Sequence, residues 1–206
     1  ACSLINGENC QTFIPEILSY LKFMGADHRM EMITKIHEAL LEFSNSPEFS
    51  LKTSHRMLVD SGGYISNEII NSVCNLVAQN PQLHNDALDL FGSSMANTVD
   101  NQSLIQVGGF IIGEYLNQRN ELVEVVKHLL MSSAVSSFSK GVLITTLAKV
   151  STRLSIQDET AAFLMRFTKS QDLEIQQRSQ EMVALLDNKD FASGILLPME
   201  DKEDVE

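Results

Sequence analysis

From Thr12 to Leu186, apolar residues recur every three or four positions, and nowhere do they alternate over a run bounded by turn signals at both ends. A spacing of three and four puts apolar side chains on one side of a helix, whereas a half-buried strand needs a period of two. The pattern predicts an all-α chain. A first helix is expected from about Thr12 to Met24, with Phe13, Ile17, Leu18, Leu21 and Met24 on one side, stopped by Gly25. Asp27 is read as the N-cap of a second helix reaching Phe43, and "SNSP" then breaks the chain. A third helix covers Ser50–Asp60 before Gly62 and Gly63, and Ser66 opens a fourth that "QNPQ" ends. Further helices are expected at Leu83–Ala96, Ser103–Asn117, Glu121–Ser132 and Ser139–Thr152. Ser155 with Asp158 resembles a capping arrangement for a helix to Thr168, and Asp172 caps "LEIQQRSQEMVALL".

About ten helices in antiparallel pairs of about 40 residues follow the rhythm of HEAT or armadillo arrays. No single pair can bury its own apolar face, so stacked neighbours must build the core between them. The fold expected is an α-α superhelix over residues 1–197. Residues 198–206 are read as an acidic tail or the start of a linker, because Glu200, Asp201, Glu203, Asp204 and Glu206 crowd the end of the chain.

Charge and cysteine content narrow the function. Twenty-seven acidic residues against 15 basic ones give a formal net charge of −12. Phosphate backbones and anionic membrane surfaces repel such a chain, and its Lys and Arg form no cluster that would reverse this locally. Neither nucleic-acid binding nor direct membrane contact is expected. Cys2, Cys10 and Cys74 are odd in number and fit no zinc spacing, which favours a reducing compartment. No apolar run of about 18 residues is present to span a membrane. With no signal peptide and no initial Met, the chain reads as a piece of a longer protein.

Catalytic chemistry finds little purchase. The three glycines of "QVGGFIIGEY", Gly108, Gly109 and Gly113, suggest a phosphate loop, but that loop needs a preceding strand and a Lys followed by Ser or Thr. On a helix, Gly109 and Gly113 share one face. Two apolar stripes, Ile105–Gly109–Ile112–Leu116 and Leu104–Val107–Ile111–Tyr115, make this a central, buried helix. The glycines are then points where neighbouring helices come close. His28, His37, His55, His84 and His128 are scattered; His84 near Asp86 and His55 with Ser54 are the pairs closest to a catalytic arrangement. No catalytic, cofactor-binding or metal-binding residue is assigned. The nine methionines sit mostly at core spacing and are read as packing. "EIQQRSQEM" is polar enough to be either a solvated face or a seam to another subunit, with Arg178 as its anchor and Gln177 and Glu174 beside it.

Five segments in order resemble the trunk of adaptins, the large subunits of clathrin adaptor complexes. They are "HRMLVDSGGYISNEI" (55–69), "LIQVGGFIIGEY" (104–115), "GVLITTLAKVSTRL" (141–154), "DLEIQQRSQEM" (172–182) and "LLPMEDKE" (196–203). The third resembles the gamma-type subunit most closely, while the double glycine at 108–109 is more like the alpha type; gamma is favoured. The resemblance implies a non-enzymatic scaffold without cofactor, the C-terminal half of a trunk. It implies a beta-type large subunit and medium and small adaptor subunits as partners. An Arf-class GTPase and clathrin would act through the full-length complex, on trans-Golgi network, endosome and coated-vesicle membranes. Another transport solenoid, such as a COPI-type coat subunit or a nuclear import carrier, is the alternative. A small helical enzyme is a third reading, and it would need a deep pocket with converging titratable groups.

Overall fold

Short connections and continuous apolar faces dictate the architecture seen in the computed structural model, which describes residues 5–63 and 65–198. Among these residues are eleven α-helices and no strand. They are α1 (Cys10–Tyr20), α2 (Ala26–Phe43), α3 (Pro47–Asp60), α4 (Asn67–Ala78), α5 (His84–Asn97), α6 (Gln102–Tyr115), α7 (Asn120–Met131), α8 (Ser137–Arg153), α9 (Gln157–Leu164), α10 (Leu173–Asp187) and α11 (Lys189–Ile195). Most successive helices are joined by three to six residues, too few to carry the chain anywhere but back along its neighbour.

Most helices pack on the one two places along the chain, and α5–α6, α7–α8 and α9–α10 pack as successive pairs. Helices α4, α6, α8 and α10 lie side by side in one layer, and α1, α3, α5 and α7 follow one another in the second. Buried side chains of both layers form one continuous core from Ile5 to Leu196. This is an α-solenoid. Its central member is α6, where Leu104, Ile105, Val107, Ile111 and Ile112 are all fully buried. A helix buried around most of its girth needs neighbours on several sides, and α6 has them in α4, α5 and α8.

Helix starts follow local chemistry more closely than apolar spacing does. The Ser46 hydroxyl accepts from the Phe49 N–H at 3.2 Å and Pro47 occupies the first helical position, so α3 begins three residues before the expected Ser50. Asn101 caps α6 by accepting from the Leu104 N–H at 3.1 Å, and its amide nitrogen donates to the Leu58 carbonyl at 2.8 Å. One side chain thus starts α6 and ties it to the end of α3. Asp172 caps α10 as expected, accepting from the Ile175 N–H at 3.2 Å.

Three expectations at helix ends are corrected. The N-cap of α2 is Gly25, with Asp27 in the first turn. Ser155 has φ +58°, a left-handed conformation that no N-cap adopts; Ile156 takes the cap position, and Asp158 instead meets Lys189 at 2.7 Å. That helix, α9, stops at Leu164 rather than Thr168. The short α11 was outside the expected set. Gly62 and Gly63 do end α3 in a turn, with φ +63° and +92°. Cys2, Tyr64 and the acidic stretch from Glu200 lie outside the described residues.

Candidate functional site

Three of the five segments singled out in the sequence fall on α6, α8 and α10, and these helices pack in succession. Their meeting sets glycines of one helix against side chains of the next. A Cβ added at Gly109 would lie 3.2 Å from Val142 Cγ1, 3.3 Å from Leu143 Cδ2 and 3.3 Å from Thr146 Oγ1. At Gly113 it would lie 3.4 Å from the Thr146 Cα, so here the backbones themselves come together. Gly108 points the other way, onto α5, where a Cβ would collide with the Met95 sulfur and lie 3.5 Å from Phe91 Cβ. The three glycines thus serve two different helix contacts.

Close approach brings polar groups together across the same seam. The Thr146 hydroxyl donates to the Gly109 carbonyl at 2.8 Å, a bond between α8 and α6 made where the missing Gly109 side chain lets the two helices approach. At the end of α6, the Arg153 guanidinium donates from Nε to the Leu116 carbonyl at 3.0 Å and from Nη2 to the Gly113 carbonyl at 2.6 Å. The last carbonyls of a helix lack partners within it and carry its negative pole, so a cation placed there satisfies both needs. Between these two contacts Glu114, almost fully buried, pairs with Lys149 of α8. Burial pulls the Arg153 pKa down and the Glu114 charge pulls it back up.

The polar residues proposed as a subunit seam have partners inside the chain. Arg178 pairs with Glu174 one turn back and lies against Gly141 of α8, its Nε 3.2 Å from where a Cβ would be. It also reaches the Thr145 hydroxyl at 3.3 Å. Gln177 donates to Glu181 at 2.8 Å. Gly141 is small where the guanidinium crosses α8, as Gly92 of α5 is small where Leu122 of α7 crosses it at 2.6 Å from a notional Cβ. Neither glycine stood out in the sequence, because each lies alone in an ordinary helical stretch.

The histidines considered for catalysis hold neighbouring helices instead. His55 Nε2 meets the Ser94 hydroxyl of α5 at 2.7 Å, and its ring lies edge-on to Phe91 with centroids 5.0 Å apart. His84 Nε2 meets the Val77 carbonyl at 3.1 Å while the ring stacks on Tyr115. Burial lowers the pKa of His55 below its ordinary 6.5, against the opposing effects of a hydrogen bond its ring donates to the Leu90 backbone and of the Asp60 charge, and burial lowers that of His37 too. The folded chain thus favours the neutral rings. The unfolded chain takes up these protons first as pH falls below 6.5, so stability is complete above that value and declines below it. His55→Gln is expected to reduce the slope of unfolding free energy against pH between about pH 7 and about pH 5, leaving the part due to His37. Urea titrations across that range measure it, and an unchanged slope would contradict the assignment. The Cys74 thiol is pushed up to about 12 by burial, which keeps it protonated and unreactive.

Among the described residues no group of His, Cys, Asp and Glu is placed to hold a metal ion, and no helix is long and apolar enough to cross a membrane.

Comparison with known proteins bears on the same stretch of chain. The AP-1 complex subunit gamma-1 of Mycosarcoma maydis is 27% identical over 217 residues, covering 96% of this chain and 25% of that protein. The mouse AP-1 complex subunit gamma-like 2 is 23% identical, covering 95% of this chain and 27% of its own length. The AP-2 complex subunit alpha-2 of Dictyostelium discoideum is 23% identical, covering 91% of this chain and 20% of its own. The chain spans about a quarter of the length of the curated relatives it matches. Residues 1–190, and with them every helix from α1 to α10, match the family described as "Adaptin N terminal region", and the chain belongs to that family.

Proposed function

We propose that the chain is the C-terminal half of the trunk of a clathrin adaptor large subunit, and that it acts as a non-enzymatic scaffold in vesicle-mediated protein transport. The observation that carries this reading is the family match over residues 1–190 falling on one uninterrupted helical stack. A solenoid cored along its whole length is stiff between neighbouring repeats and can hold partners at fixed spacing. Small rotations between repeats would let the assembly open and close. Residues 1–197 would be trunk and 198–206 the start of the hinge.

The partners in this reading are a beta-type large subunit and the medium and small adaptor subunits, with an Arf-class GTPase and clathrin acting on the full-length complex. Its place of work would be trans-Golgi network, endosome and clathrin-coated vesicle membranes. A gamma-type subunit is favoured by the 27% identity to the fungal gamma-1 protein and by "GVLITTLAKVSTRL", although the alpha-2 and mouse gamma-like 2 relatives both stand at 23%. Glu174, Gln177 and Arg178 remain candidates for a subunit contact, since Arg178 keeps 39% of its side chain exposed after its internal bonds are made. The glycines at 108, 109 and 113 are assigned a packing role within the trunk.

Fractionation of cells carrying the tagged full-length protein tests the recruitment step. Membrane association is expected to collapse when an Arf-class GTPase is locked in its GDP state. Association that persists unchanged would overturn Arf-controlled recruitment.

A further inference from the structure

In the layer formed by α4, α6, α8 and α10 each helix packs on the next, but the series is not continued at its other end. Helix α2 packs on α1 and α3 and does not close onto α4. Two adjoining cavities of about 480 and 580 Å³ run along the gap, sharing His37, Leu41, Glu68 and Ser72 in their walls. From Met30 to Leu41 the α2 wall extends for about 16 Å, room for about three turns of a helix. Met30 and Leu41 stand 55% and 68% exposed on its rim, above a floor that includes the buried Leu40, Ile69 and Val73.

The charges in this groove have one sign. Glu38 and Glu68 line it, and among the described residues no Lys or Arg does. The His37 ring, in the same wall, has its Nδ1 buried and without a hydrogen-bond partner among the described residues. An apolar floor, acidic rims and an unmet polar atom describe a surface prepared for a complementary segment rather than for water.

We propose that the α2–α4 groove docks a short amphipathic segment of a partner protein, apolar on one face and carrying Lys or Arg against Glu38 and Glu68. Charge decides among occupants. The stretch carrying Glu200, Asp201, Glu203, Asp204 and Glu206 is acidic and would be repelled. A second copy of the chain brings a net charge of −12 to an acidic groove. A basic amphipathic segment meets no such penalty. It can seat its apolar residues at i, i+3 and i+4 in the groove, as helix-in-groove recognition requires. This inference is independent of the scaffold reading and stands or falls on the groove alone.

Panning the full-length protein against a randomised peptide library tests it. Enriched peptides are expected to combine Leu, Ile or Phe at helical spacing with Lys or Arg. Measured by fluorescence anisotropy, their affinity should fall about ten-fold or more for Glu38→Lys/Glu68→Lys, which charge-reverses two exposed rim residues without touching the core. It should be unchanged for Glu121→Lys/Asp187→Lys, which alters net charge equally and lies outside the groove. Failure to enrich any peptide, enrichment of neutral or acidic peptides, or equal affinity for the two charge-reversed variants would overturn the proposal. Self-association of the wild-type protein abolished by Glu38→Lys/Glu68→Lys would overturn it too, by giving the groove to a second copy.

Discussion

Gly109→Leu is expected to destabilise the protein by more than about 2 kcal/mol through overpacking. The site already places Val142, Leu143 and Thr146 within 3.3 Å of a first added carbon, and all of them belong to α8. A leucine adds three carbons beyond that one, and the α6–α8 seam must part to admit them. Replacing glycine returns about 1 kcal/mol of helix propensity, which offsets only part of the cost. Separation of the helices would also stretch the Thr146 bond to the Gly109 carbonyl. Gly109→Ala separates these effects. Its single carbon asks the neighbours to give by a few tenths of an ångström, so propensity and crowding nearly cancel and stability should change by less than about 1 kcal/mol. Denaturant titration of both variants measures the difference. A loss below about 1 kcal/mol for Gly109→Leu would mean that α8 is not packed against this face.

Arg153→Met is expected to cost about 2 kcal/mol, with the loss concentrated at the end of α6. Methionine keeps much of the aliphatic stem but donates nothing, so the Gly113 and Leu116 carbonyls lose the guanidinium bonds that satisfy them. The loss is limited because Nη1 is itself buried without a partner among the described residues, and removing it relieves that cost. Arg153→Lys should recover only part of the loss, since one ammonium cannot reproduce a fork aimed at separate carbonyls. Hydrogen exchange should show α6 amides near Tyr115 losing protection before those near Leu104. Uniform loss along the helix would indicate a general core effect and contradict the capping role.

Much of this was legible in the sequence where periodicity and packing agree. The buried girth of α6 follows from two apolar stripes side by side, and the Asp172 cap follows from an Asp placed before an apolar-periodic run. Boundaries were less legible wherever the deciding bond is local. Apolar spacing places the start of α3 at Ser50, but the Ser46 cap and Pro47 move it back. Ser155 has a capping residue's chemistry and a left-handed backbone, and only the second decides. The short α11 has too few residues to establish a period.

The seam was half legible. Glycines spaced four apart announce that another backbone comes close, but not which one, and Gly108 turns out to face α5 while its neighbours face α8. Glu114, Lys149 and Arg153 were not singled out, because residues 35 to 40 positions apart become partners only when α6 and α8 pack. The open α2–α4 groove was invisible for a related reason. It arises from a helix that fails to close on its neighbour, and both helices carry ordinary amphipathic patterns.

We infer that this stack is a structural part of an assembly. Stable subunit contacts of that kind bury about 2,000 Å² or more and survive purification. Affinity purification of the tagged full-length protein from cells, followed by mass measurement of the intact eluate, reads this out. The predicted result is one species containing a beta-type large subunit, a medium subunit and a small subunit in equal proportion with the tagged chain. A strictly monomeric protein, or one recovered with a different set of transport partners, would contradict it.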